Sequence, residues 1–288
     1  MNNSKLRATL FAILAAVFYA LNMPLSKLLL KHVSTTMMAG YLYLGAGLGV
    51  GTMFFANRKS IDKKQLLSKA DIPYTIGMVV LDIIAPICLM LGLSTTSSAN
   101  ASLLNNFEIV ATSIIAMLFF KEKVSSKLWL SIILVTASSI VLSFEKDLLT
   151  FSWGSILVLL ATVCWGLENN CTRSISSKNT YEIVTIKGLC SGLGAVIVAL
   201  VIGEKNSELR YIIEDLALGF VAYGLSIFCY IKAQEKLGAA KTSAYYAIAP
   251  FVGALLSFVL LKEPLTEQFM LGFVIMIIGS AMAVWDTL

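Results

Sequence analysis

Apolar residues in this chain fall neither in alternation nor in one-sided stripes, but in long, nearly unbroken runs. Ten runs can be counted: 8–30, 35–56, 72–93, 98–119, 127–144, 153–173, 181–203, 211–233, 240–261 and 267–286. A helix that crosses the hydrocarbon core of a bilayer needs about 20 apolar residues, so each run predicts one spanning helix. Spanning strands would alternate in segments of about ten residues, and no segment here does. The longest connection, Asn57 to Asp71, reads NRKSIDKKQLLSKAD and has room for a short surface helix. None has room for a soluble domain. The first run follows Lys5 and Arg7 as a signal peptide would. Comparable runs continue to the last residue, so it reads as the first of many spans. The pattern predicts an all-α membrane protein with ten transmembrane helices.

Composition agrees. Of 288 residues, 58% are hydrophobic and 14% charged, and the mean hydropathy is +0.83. A soluble enzyme, a disordered chain and a nucleic-acid binder are excluded by these values. The net charge of +5 is informative through its distribution, because Lys and Arg collect in cytoplasmic loops. Numbering the connections from a cytoplasmic N-terminus puts fifteen Lys and Arg on the side of the two termini. Only Lys31, Lys146, Lys205, Arg210 and Lys262 fall on the other side. Both termini are therefore expected in the cytoplasm of a multi-pass cell-membrane protein. The five cysteines, Cys88, Cys164, Cys171, Cys190 and Cys229, all lie in apolar runs. They read as small apolar side chains, and no structural disulfide is expected.

The chain also repeats itself. Val17-Phe18-Tyr19-Ala20-Leu21-Asn22, with Ser26-Lys27 after it, is matched by Val163-Cys164-Trp165-Gly166-Leu167-Glu168 with Thr172-Arg173, at an offset of 146 residues. Lys121-Glu122 at the end of the fourth run is matched by Lys262-Glu263 at the end of the ninth, at an offset of 141. Helices 1–5 and 6–10 thus read as one five-helix unit used twice, over residues 1–146 and 147–288. Five is odd, so the second copy is inverted in the membrane, as in many secondary transporters. Gly45, Gly47, Gly49 and Gly51 in the second run, and Gly188, Gly192 and Gly194 in the seventh, have the spacing that lets helix backbones approach closely. Packing inside one chain is the expected use, and the protein is expected as a monomer or a weak homodimer.

Ten helices in two inverted sets of five resemble the drug/metabolite transporter superfamily, and within it the EamA-type family. The residues that carry the resemblance are Ala16 to Asn22 and their copy Cys164 to Asn169, Ser98 to Leu104 at the start of the fourth run, Gly238 to Ser243 with Ala249-Pro250 in the ninth, and the two Lys-Glu junctions. The resemblance covers nearly the whole chain. It implies transport across a membrane and a central polar cavity lined by helices 1, 3, 4, 6, 8 and 9. It implies little about substrate.

An ionisable side chain within the bilayer is costly and marks function by default. Asp82, Glu108 and Glu168 lie well inside their runs. Lys27 and Lys187 are close enough to the ends of theirs to reach a surface. Burial favours the neutral acid, so protons are a reasonable coupling ion, with Glu108 the first choice to carry them. For Asp82, a static pairing with Lys187 is an equal reading. Asn105 and Asn106 share a turn with Glu108, and Asn169 and Asn170 share one with Glu168, while Asn22 is the repeat partner of Glu168. Such groups would be expensive facing lipid. Tyr19 and Trp165 precede Asn22 and Glu168 by three residues, about one helical turn, and Tyr223, Tyr245 and Tyr246 follow in runs eight and nine. Aromatic rings with a carboxylate suit an organic cation or a zwitterionic amine. The expected substrate-binding set is Tyr19, Asn22, Asp82, Asn105, Glu108, Trp165, Glu168, Asn169, Tyr223 and Tyr245. Pro24, Pro86 and Pro250 remove backbone donors within or near spans and predict bends.

With one histidine, His32, in a loop, no multi-histidine metal site can form, and no glycine-rich nucleotide loop is present. No metal or cofactor is expected, nor a nucleic-acid partner; the partners are a small molecule, the lipid bilayer and protons. The leading expectation is a secondary transporter that exports amino acids or related amines by alternating access. Import of an organic cation such as a quaternary ammonium compound comes second, and a membrane-embedded enzyme or receptor-like binding protein third.

Overall fold

The structure is a computed structural model that describes residues 3–57, 61, 65–120, 125–145, 150–175, 177–205, 207–237, 242 and 245–287. The Lys121-Glu122 junction, residues 238–241 of the ninth motif and several loop lysines of the charge comparison lie outside them.

Each apolar run contains helix among its described residues. Span 1 is Asn3–Ala20 continued by Asn22–Leu29, span 2 Thr35–Asn57 and span 3 Ile72–Thr95. Span 4 is Ser98–Leu104 continued by Phe107–Phe120, span 5 Ser126–Ser143, span 6 Trp153–Ser174 and span 7 Thr180–Val201. Span 8 runs through Leu209–Gly219, a π-helical Phe220–Leu225 and Ser226–Leu237. Span 9 includes Ala249–Leu261, and span 10 is Glu267–Thr287. Eight of these helices are long and apolar enough to cross a membrane by length and composition. Span 6 is long but carries Glu168, Asn169, Asn170 and Arg173 in its last turns. The described part of span 9 is short and apolar. The protein is an all-α membrane protein of ten transmembrane helices in two inverted repeats.

Helix starts are set by side chains that accept from otherwise unpaired N–H groups. Ser97 accepts from Asn100 at 3.1 Å, Ser125 from Leu128 at 3.1 Å, Asn179 from Glu182 at 3.2 Å and Thr266 from Phe269 at 3.1 Å. The break in span 1 falls at Leu21. Pro24 has no N–H to give the Ala20 carbonyl, so the helical ladder cannot run through. Span 4 breaks at Asn105-Asn106, where the N–H groups of Asn106 and Ile109 reach back three residues. Pro86 sits inside the otherwise continuous span 3.

The packing pairs the halves. Spans 2 and 7, 4 and 9, and 5 and 10 each lie against their repeat counterpart, and the pairing of span 3 with 6 is mirrored by that of span 8 with 1. The partners run antiparallel. Gly40 meets Val196 and Gly192, Gly47 meets Gly188 and Leu189, and Gly51 meets Thr185, so the numbers fall on one side as they rise on the other. A Cβ at Gly47 or Gly188 would collide with the opposite backbone, which explains the glycines of both runs as a seam inside the monomer. Spans 5 and 10 are antiparallel too, with Ser131 donating to Gly279 O at 2.7 Å and Ser138 to Gly272 O at 2.6 Å.

A two-residue hairpin, Phe144–Glu145 with Thr150–Phe151, closes one end of the bundle, together with the loops at 30–34, 96–97, 202–208 and 262–266. The termini and the connections around 65–71 and 175–179 occupy the other end. Within the 57–71 connection the described residues form only a single 3-10 turn, Lys69–Asp71.

Candidate functional site

Midway along the bundle polar residues of both halves converge. The charged part joins spans 3, 6 and 7. The Lys187 ammonium lies 3.0 Å from Glu168 Oε2 and 3.2 Å from Asp82 Oδ2. Lys187 therefore turns inward rather than reaching the surface as its place near the span end suggests: two buried carboxylates attract it more strongly than water does. Thr172 donates to Glu168, and Tyr43 donates to Asp82 Oδ1 at 2.8 Å. Asp82 is 0% and Glu168 1% exposed, so nothing but these partners supports their charge.

The neutral part joins spans 1, 2, 4, 8 and 9. Trp165 donates its indole N–H to Tyr43 at 3.2 Å, and the Tyr43 ring lies 5.2 Å from that of Tyr223. Tyr223 in turn sits edge-on to Tyr19 at 5.9 Å and accepts from Asn22 at 3.0 Å. Ser26 donates to Asn22, and Asn105 donates to Tyr19, each at 3.0 Å. Tyr246 stands 5.8 Å from Tyr19. Glu108 receives the Asn169 amide at 2.6 Å, which ties span 4 to span 6.

Seven of the ten residues singled out from the sequence thus enter one network, and Glu108 and Asn169 form a bonded pair of their own. Tyr245 joins neither: it is 39% exposed, and its neighbour Tyr246 takes the place beside Tyr19. The sequence leaves the two equivalent, because a helix turn decides which ring faces inward. Two buried residues, Tyr43 of the centre and Asp215 outside it, escaped the sequence reading. Tyr43 is buried amid the glycines of span 2 and looks like core. Asp215 lies only five residues into its run, yet it is 0% exposed.

A void of about 10 Å³, room for one water, lies between Tyr19, Met23, Ser102, Asn105, Pro250 and Gly253. It adjoins the breaks of spans 1 and 4. Ser102 Oγ and Asn105 Oδ1 lack a hydrogen-bond partner, which marks a place where a guest's polar group would be received. A second cavity, about 290 Å³, lies toward the end of the termini between Gln65, Lys178, Asn179, Tyr181, Phe228 and Lys232.

The hairpin end is closed. Glu263 accepts from the Ser98 and Ala99 N–H groups at 2.7 and 2.9 Å, and Lys27 donates to Leu93 O at 2.5 Å and Thr96 O at 2.7 Å. Anion at helix start and cation at helix end both match the helix dipole. Lys27 is thus held by carbonyls at that end. Glu204 does the same for span 2, accepting from Met37 at 2.8 Å and Thr36 at 3.1 Å. Burial pushes its pKa up, but these N–H groups outweigh burial and hold the carboxyl below its ordinary range.

Residues 6–144 and 152–285 both match the EamA-like transporter family. The chain belongs to that family. EamA-like relatives of similar length include an uncharacterized transporter of Methanothermobacter thermautotrophicus, 25% identical and covering 95% of this chain and 85% of its own. The uncharacterized transporter YyaM of Bacillus subtilis is 23% identical over 92% of this chain and 89% of its own. The uncharacterized inner membrane transporter YedA of Escherichia coli is 26% identical over 48% of this chain. A solved crystal structure shares the fold with a TM-score of 0.70, at 14% identity and 97% coverage of both chains. This EamA-like protein is a multi-pass membrane transporter.

Proposed function

We propose that the protein is a secondary transporter exporting amino acids or related amines by alternating access, with protons as the coupling ion. One observation carries the substrate class: the buried carboxylates of Asp82 and Glu168 share one ammonium, Lys187, and a third carboxylate, the half-buried Glu108, is held by the Asn169 amide, in the region of the rings of Tyr19, Tyr43, Tyr223 and Tyr246. A surplus of acid next to aromatic faces suits a guest that brings positive charge. Residues 1–146 and 147–288 are the two units that rock against each other, and the closed hairpin end with a cavity at the other end corresponds to one of the two access states. The charge bias of the loops supports both termini in the cytoplasm, with the cavity facing it. In this reading the protein moves its substrate without changing it chemically.

Glu108 is the reading's proton carrier. Its only side-chain hydrogen-bond donor among the described residues is the Asn169 amide, so it has no fixed cation to hold it ionised. Glu168, paired with Lys187, serves the substrate. Purified protein is to be screened by thermal shift against amino acids, amines, nucleosides and quaternary ammonium compounds. Stabilising compounds then go into proteoliposome flux with and without a pH gradient. Amines or amino acids that stabilise, and flux that follows the gradient, are the expected result. Flux indifferent to the gradient would make the protein a uniporter or exchanger and Glu108 a structural residue. The ring cluster favours one alternative, import of a quaternary ammonium compound, and the same screen separates the two by which class stabilises.

A further inference from the structure

Asp215 takes no part in the cluster just described. It lies in the first segment of span 8, Leu209–Gly219, is 0% exposed, and neither carboxyl oxygen has a hydrogen-bond partner among the described residues. The groups around it offer no counter-charge. On span 2, which packs closely against this segment, the ionisable side chains are Tyr41 and Tyr43, and Tyr43 donates its proton to Asp82. On span 1 the nearest cation is Lys27, held by the carbonyls of Leu93, Ser94 and Thr96. On its own segment Arg210 pairs with Glu214 at 2.8 Å. A bare carboxylate in such surroundings costs several kcal/mol, whereas the neutral acid costs only its unmade hydrogen bonds.

Its position along the helix gives it a path in each direction. Tyr211, Asp215 and Tyr223 lie four and eight residues apart and so share one face of span 8. Tyr211 is stacked on His32, an exposed loop residue at the hairpin end, with rings 4.1 Å apart. Tyr223 reaches the central cluster. Between Asp215 and the rest of the span lies the π-helical stretch Phe220–Leu225. Such a stretch holds one residue too many for α-helix and is frequent at functional sites. Passing it along the helix turns one segment against the other by about 100°.

We propose that Asp215 is a second proton-binding site, separate from the central carboxylates: it holds a proton in the state with the hairpin end closed and exchanges it with water when span 8 turns. Exchange breaks and remakes only the carboxyl O–H bond, the electron pair staying on oxygen and the proton passing to water. The inference rests on the transport reading only for the existence of a second state. The test is infrared difference spectroscopy of the full chain in phosphatidylcholine vesicles, with carbon-13 in the aspartate carboxyl, titrated from acid to alkaline pH. A protonated-aspartate carbonyl band should be present at neutral pH, survive Asp82→Asn, vanish in Asp215→Asn and fade reversibly as pH rises. Asp215→Glu, labelled in glutamate instead, should restore a titrating band. No such band in the unmutated protein, or one that alkali never removes, overturns the proposal. A titrating band without flux of any screened compound would leave Asp215 standing and sink the transport chemistry proposed above.

Discussion

At position 24 of span 1 stands a proline; 146 residues on, in span 6, stands Asn170. The two places correspond in the repeat, and the helices around them behave differently. Pro24 cannot donate to Ala20, and span 1 breaks at Leu21. Asn170 keeps its backbone donor and adds a side-chain bond to the carbonyl of Gly166, at 2.7 Å, so span 6 runs unbroken from Trp153 to Ser174. The polar residue two places earlier differs to match. Asn22 beside the break makes neutral bonds to Tyr223 and Ser26. Glu168 on the continuous helix sits in an ion triad with Lys187 and Asp82. A duplicated architecture thus has one stiff, charged side and one interrupted, neutral side. A buried ion triad tolerates little displacement, because losing a partner strands a charge. Phenol and amide bonds exchange partners at about 1 kcal/mol each.

The largest effect should come from stranding the charges. Lys187→Met leaves Asp82 and Glu168 facing each other without a cation. The expected loss is about 3–5 kcal/mol, read as a deep fall in melting temperature in detergent. Adding Asp82→Asn should recover part of it. If Lys187→Met melts with the unmutated protein, the stiff side is not held by charge and the contrast with span 1 collapses.

Next come the two glutamates that bridge the sides. Glu168→Gln removes a charged partner and should weaken binding of an amine by about 1.5–3 kcal/mol, a loss of roughly ten- to a hundredfold in affinity. Glu108→Gln, whose amide oxygen can still accept from Asn169, should leave binding and exchange nearly intact but abolish accumulation driven by a pH gradient. Equal effects of both changes on both readouts would erase the division of labour.

How far this contrast was legible differs between its parts. The repeat, the glycine seam and the presence of Glu168 opposite Asn22 all follow from one-dimensional spacing, because an antiparallel pair of helices converts sequence offset directly into contact. The direction of Lys187 does not follow. Its stem is long enough to reach water or the carboxylates, and the choice depends on how closely spans 3, 6 and 7 approach. Tyr43 was hidden by its apolar neighbours, and Asp215 by nearness to a span end, although span 8 packs that end deep against span 2. The break in span 4 has no proline to announce it; there the N–H groups of Asn106, Glu108 and Ile109 turn to carbonyls three residues back.

On the neutral side effects should be smaller. Tyr223→Phe keeps the ring against Tyr19 and Tyr43 but takes away the oxygen that accepts from Asn22. An amide donor buried without a partner costs about 1–3 kcal/mol, less than the loss of Lys187. A fall in melting temperature as large as that of Lys187→Met would mean that the phenol network is as rigid as the ion triad.

The smallest change in stability is expected at the break itself. Pro24→Ala restores a backbone N–H four residues after Ala20, so the ladder of span 1 can close. Two terms then oppose each other. The new hydrogen bond adds about 1 kcal/mol. The unfolded chain regains freedom that proline had denied it, which costs about 0.4–1 kcal/mol. The melting temperature should barely move. Flux in proteoliposomes should fall nonetheless, because a closed helix holds Tyr19 and Asn22 in one fixed relation, while the interrupted one lets the segment Asn22–Leu29 shift against the segment before it. The matched change on the other side, Asn170→Ala, removes only the side-chain bond to Gly166, and span 6 keeps its backbone ladder. It should cost some stability and leave the rate of exchange unaltered. Should Pro24→Ala transport at the unmutated rate, the interruption of span 1 is a fixed bend, and the two sides differ in charge but not in motion.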